Sequence, residues 1–69
     1  MIRQPVESSN IRSVGYDEVS RKLEIEFRDG AVYQYAEVPG VVYLEMTRAK
    51  SVGKFFIANI RNQYQGERV

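Results

Sequence analysis

Between Lys22 and Arg28 the chain alternates strictly, with Leu23, Ile25 and Phe27 on one side and Lys22, Glu24, Glu26 and Arg28 on the other. That is the period of a half-buried strand. Residues 11–17, Ile-Arg-Ser-Val-Gly-Tyr-Asp, follow a polar Ser8-Ser9-Asn10 entry and are rich in β-formers, which predicts a strand before it. Asp29-Gly30 marks a tight turn, and residues 31–36 return as a third strand, so the three form an antiparallel meander. Val38 is held extended by Pro39, which suits a first helical position, and Val42, Met46 and Ala49 then recur at helical spacing. A short helix is expected near 39–49. After a break at Ser51–Gly53, the spacing of Phe56, Ile57, Ile60 and Tyr64 predicts a second amphipathic helix near 54–64. The apolar faces must cover one another, which gives a single α+β domain of order β-β-β-α-α over residues 8–64. Residues 1–7 read as an N-terminal extension and 65–69 as a fraying C-terminal tail.

Tyr33 and Tyr35 share one face of the third strand, and the turn decides which. A two-residue turn at Asp29-Gly30 puts them beside Glu26 and Glu24 as an exposed aromatic platform. A three-residue loop, Arg28-Asp29-Gly30 with the glycine left-handed, puts them opposite Ile25 and Leu23 in the core and turns Gln34 to water. The first register buries Gln34 between Val32 and Ala36, where an unpaired amide costs about 1–3 kcal/mol, so the second is favoured.

At 69 residues, 43% hydrophobic and 28% charged, the chain has room for one small folded domain. It contains no cysteine and no histidine. Disulfides, thiolate catalysis, sulfur-bound zinc and a serine–histidine–aspartate hydrolase are therefore excluded. No cofactor and no metal are expected. Neither an apolar signal segment nor a run approaching a membrane span is present, so no membrane partner is expected, and a reducing cytoplasm is the expected setting. Ser51 and Lys54 match a serine-x-x-lysine spacing, but a chain this short can hardly desolvate a lysine enough to make it a base, so no enzymatic activity is expected. Glu24 and Glu26, two apart on a strand, read as a solvated face rather than a catalytic pair.

Charge is uneven. Residues 1–38 carry five Lys or Arg against seven Asp or Glu, and residues 39–69 carry five against two. Arg48 and Lys50 fall at the expected C-terminal end of the first helix, where the dipole favours cations. Lys54 falls in the first turn of the second, where it does not. A phosphate-sized anion at Ser51, Gly53 and Lys54, supported by Lys50 and Arg48, would account for it.

Taken together, Ser8-Ser9-Asn10-Ile11, Gly15-Tyr16-Asp17, Leu23 to Phe27 followed by Asp29-Gly30, Tyr33-x-Tyr35, Val38-Pro39, Ala49-x-Ser51-x-Gly53-Lys54-x-Phe56, and Ile60-Arg61 with Tyr64 carry a resemblance. In order and spacing the chain resembles the KTSC domain. This is a short bacterial family named for its occurrence at the C-terminus of some lysyl-tRNA synthetases and also found free-standing. The resemblance implies RNA as a partner. Two functional readings follow. One is an accessory RNA-binding module using Arg48, Lys50, Lys54 and Arg61 for phosphates and any exposed tyrosine for stacking. The other is a protein-interaction module that pairs a sheet edge or a tyrosine patch with a protein partner or a second copy.

Overall fold

The three expected strands form where the pattern puts them. In the computed structural model, which describes residues 1–69, they are the second, third and fourth of five. β1 (Arg3–Pro5) precedes them, followed by β2 (Ile11–Asp17), β3 (Lys22–Phe27), β4 (Val32–Tyr35), α1 (Gly40–Arg48), α2 (Val52–Asn59) and β5 (Gly66–Arg68). All neighbours pair antiparallel in the order β1-β2-β3-β4-β5. The three-stranded expectation is thus corrected to five. The supposed extension supplies β1 through Arg3↔Gly15, and the supposed fraying tail supplies β5 through Tyr35↔Gly66.

The central hairpin takes the three-residue loop. Tyr33 opposes Ile25 and Tyr35 opposes Leu23. The Phe27 N–H donates to the Ala31 carbonyl at 2.8 Å, and Gly30 has φ 96°, the left-handed backbone that glycine adopts without strain. At the other end of β3, Asp17 closes the turn. Its Oδ1 accepts from the N–H groups of Val19 (3.0 Å) and Ser20 (3.5 Å), and these bonds hold its carboxyl below the usual range.

β2 contains an irregularity that the pattern does not announce. Ile11 pairs with Phe27 but Ser13 pairs with Glu26, leaving Arg12 as an extra residue. The bulge lets Ile11 and Val14, three apart, both face the core, while Ser13 turns to the opposite side.

Both helices cover one face of the sheet. The core joins Ile11, Val14, Leu23, Ile25, Tyr35 and Val38 to Met46, Val52, Phe56 and Ile60 from the helical layer. Filling this layer is the main stabilising contribution, about 1.5–3 kcal/mol for each fully buried large side chain. α1 begins one residue after Pro39, which is its N-cap with φ −63° and ψ 145° rather than a first helical residue. α2 starts two residues earlier and ends five residues sooner than its apolar spacing predicts, and Tyr64 lies beyond it in a turn where its N–H donates to the Ile60 carbonyl.

The opposite face of the sheet is polar and held together by Arg3. This guanidinium donates to Glu24 Oε2 (2.5 Å) and Ser13 Oγ (3.1 Å) and lies 3.9 Å from Glu26. Ser13 donates to Glu26 Oε1 and Gln34 donates to Glu24 Oε1, both at 2.8 Å. Glu24 is only 8% exposed. Of the pair expected to be solvated, Glu24 is therefore covered and Glu26 half-buried, and Gln34, expected to face water, is bound into their network.

Candidate nucleic-acid interface

The junction of the helices is set by Ser51. Its backbone is extended (φ −128°, ψ 105°), its hydroxyl accepts from the Lys54 N–H at 3.2 Å, and its carbonyl accepts from Phe55 at 3.0 Å. Ser51 is thus an N-cap, which stabilises the start of α2 by satisfying one of its free N–H groups. Val52 and Gly53, whose N–H groups come next, are both buried. A Cβ on Gly53 would lie 3.0 Å from Ser8 Oγ, so the glycine allows the loop before β2 to approach the helix. The anion cradle expected at Ser51, Gly53 and Lys54 is correspondingly narrow. Part of it is filled by the serine and part is covered by the fold.

The cations around that junction are more open. Arg48 ends α1, Lys50 lies in the connection, Lys54 is in the first turn of α2 and Arg61 follows its last turn; all four are exposed. None forms an ion pair, because the two ion pairs of the molecule are those of Arg3 with Glu24 and Glu26. Glu45 is the only carboxylate between residues 40 and 61. Lys54 and Ile57 are three apart on α2 and share one side of it, while Arg61 lies just past its C-terminal end, where its N–H donates to the Phe56 carbonyl at 3.0 Å.

Between α2 and the β3–β4 hairpin lies a groove of about 410 Å³ whose walls are mostly apolar and include four aromatic rings. Phe27 meets Tyr33 and Phe56 edge-on, with ring centres 5.8 and 5.6 Å apart, and Tyr35 meets Phe56 edge-on at 5.4 Å. Tyr33 and Tyr35 stack at 6.4 Å with their planes 26° apart. Asn10 and Arg61 are the groove's polar side chains besides the tyrosine hydroxyls, and no carboxylate lines it. Burial pushes the Tyr35 phenol up, Tyr33 adds to this, and the positive charge of Arg61 opposes it.

The tyrosine pair is therefore neither an exposed platform beside Glu24 and Glu26 nor wholly core. Tyr35 is buried, Tyr33 is half-buried, and both contribute edges to a groove on the helical side. Phe27, Phe56 and Asn10 belong to the same groove, and their sequence pattern marks them as core and loop residues rather than as a site. The one sequence signal for it is Gly66, which sits opposite Tyr35 and leaves its ring space. As for a strand-pairing surface, both sheet edges are three-residue strands, one ending in Pro5 and the other carrying Glu67 and Arg68. Short charged or proline-bearing edges resist adding another strand. No helix is long and apolar enough to cross a membrane.

A five-stranded antiparallel sheet with a two-helix insertion before its last strand defines a small α+β domain with one basic, aromatic-grooved layer and one polar face on which Arg3 pairs with Glu24 and Glu26. The family model of the KTSC domain matches residues 7–64, and the chain belongs to that family. A crystal structure of a KTSC domain protein from Yersinia pestis superposes with a TM-score of 0.96 at 41% identity, covering 99% of this chain and 96% of that one. A protein of Tsukamurella paurometabola is 39% identical over 62 residues, 90% of this chain and 92% of its own length. A lysine–tRNA ligase of a Nostoc species is 33% identical over 63 residues, which is 91% of this chain but 11% of the ligase.

Proposed function

We propose that this domain is an accessory RNA-binding module of the cytoplasm, tRNA being the first candidate, whose helical layer holds phosphates through Arg48, Lys50, Lys54 and Arg61. The observation that carries this reading is that these four exposed cations lack ion-pair partners and share their layer with Glu45 alone. Glu24 and Glu26, two carboxylates that would repel a phosphate chain, are on the far face and engaged by Arg3. The similarity to the Nostoc lysine–tRNA ligase supports RNA over other polyanions. With four cations the binding is weak and fades as salt rises, which suits a module that assists a larger assembly.

Two-dimensional amide NMR of the labelled protein during titration with bulk tRNA tests this. Shifts confined to residues near 48–61 that vanish between low and moderate salt are expected. A spectrum that stays unmoved at low salt removes the reading.

A further inference from the structure

Tyr35 is 6% exposed, yet its hydroxyl makes no hydrogen bond within the protein. Tyr16, by contrast, donates to the Val38 carbonyl at 2.6 Å. No fully buried side-chain polar atom in the molecule lacks a partner. The Tyr35 hydroxyl therefore reaches open space, and the open space along that ring is the aromatic groove. A phenol held almost entirely inside a domain with its polar end free is an arrangement that a ligand group satisfies.

Three further properties narrow the ligand. The groove is mostly apolar and is edged by the half-buried rings of Phe27 and Tyr33, which accept a flat heterocycle against them. Its charged group is the exposed Arg61, and with no carboxylate lining it the groove favours an anion beside the heterocycle. The unpaired amide of Asn10 adds a donor and an acceptor at the rim, matching a ligand that carries both. A flat heterocycle with donors and acceptors, joined to a phosphate, is a nucleotide.

We propose that the groove between α2 and the β3–β4 hairpin takes one unstacked base of single-stranded RNA, bonded at its edge by the Tyr35 hydroxyl with the adjoining phosphate on Arg61. This rests on the RNA-binding reading and adds to it a preference. A duplex keeps its bases stacked and can reach only the cations, whereas a single strand can also lend a base to the groove.

The experiment compares an oligoadenylate with an RNA duplex of equal strand length, using wild type and the Tyr35→Phe variant. That substitution removes a hydroxyl with no partner in the protein, so Tm is expected to stay within a degree or two or to rise. The single strand is expected to give nuclear Overhauser contacts between base protons and the rings of Phe27 and Tyr33. Tyr35→Phe is expected to weaken single-strand binding by about 2- to 10-fold and leave duplex binding unchanged. A Lys50→Gln, Lys54→Gln double variant is expected to weaken both RNAs alike. If both RNAs shift residues 48–61 while the groove rings show no base contacts and Tyr35→Phe binds as wild type does, the base site is overturned and phosphate binding stands. If neither RNA shifts any amide at low salt, both proposals fall.

Discussion

At Gly30 an added Cβ would meet nothing within 4 Å, so the cost of a side chain there is set by the backbone alone, φ being 96°. Gly30→Ala is expected to cost about 1–2 kcal/mol in urea unfolding while leaving the folded spectrum nearly unchanged. Gly66 presents the opposite case. Its backbone is ordinary, but a Cβ would collide with the ring of Tyr35. Gly66→Ala is expected to shift the Tyr35 ring resonances and lower stability by about 1–3 kcal/mol, the range of an overpacked site. Glu24 carries the pH dependence. Its carboxyl lies below the usual range because Gln34 and then Arg3 hydrogen-bond the charged form, against the opposing effect of burial. A pKa lower in the folded than in the unfolded chain contributes stability that is fully present above the ordinary glutamate value of about 4.3 and is lost as pH falls through the folded value. Glu24→Gln is expected to flatten that part of the acid limb in a Tm-against-pH series. At this scale the sequence was partly legible. Gln34 correctly selected the hairpin register, because an amide cannot lie unpaired against Leu23 and Ile25. What it bonds to could not be read, since Glu24 is covered by Arg3 from a strand that no pattern announces.

The elements that escaped the sequence share a physical cause. β1 and β5 are three residues each, Arg-Gln-Pro and Gly-Glu-Arg, too short and too polar to show a period, and they form because β2 and β4 offer unpaired edges. The bulge at Arg12 likewise exists only in the pairing with β3. The long alternation of β3 and the apolar spacing of both helices were legible because each must bury one face against a partner. Gly53 misled the start of α2, since a glycine reads as a break unless the close approach of Ser8 is known. The true start is Ser51, and Ser51→Ala, which leaves the Lys54 N–H without its acceptor, is expected to lower stability by about 0.5–2 kcal/mol in thermal or urea unfolding. Lys54 itself opposes the dipole of α2, whose first turn contains no acidic residue. Lys54→Glu is expected to raise stability by about 0.3–1 kcal/mol while weakening RNA binding. A variant that gains stability without losing affinity would remove Lys54 from the phosphate-binding set.

Over the whole molecule, net charge says little and its placement says much. The formal charge is +1, and a basic patch was legible only as a surplus in the second half of the sequence. The fold gives that surplus a side, because both helices cover one face of the sheet while Arg3 pairs with Glu24 and Glu26 on the other. Salt dependence separates the two layers. With Arg48, Lys50, Lys54 and Arg61 as the phosphate contacts, the slope of log K against log salt is expected to be no steeper than about −3 for a single strand and about −4 for a duplex. Removing any one of these cations should make it shallower by about 0.7 to 0.9. Arg3→Gln removes the same unit of charge from the same small domain. It is expected to leave the slope unchanged, because that guanidinium is already bound to Glu24 on the far face. Its effect should appear in stability instead, as a loss at neutral pH that shrinks once Glu24 is protonated. A slope that falls equally for Arg3→Gln and Arg61→Gln would mean that RNA responds to the total charge of the domain, and the helical layer would then have no special claim to the phosphates.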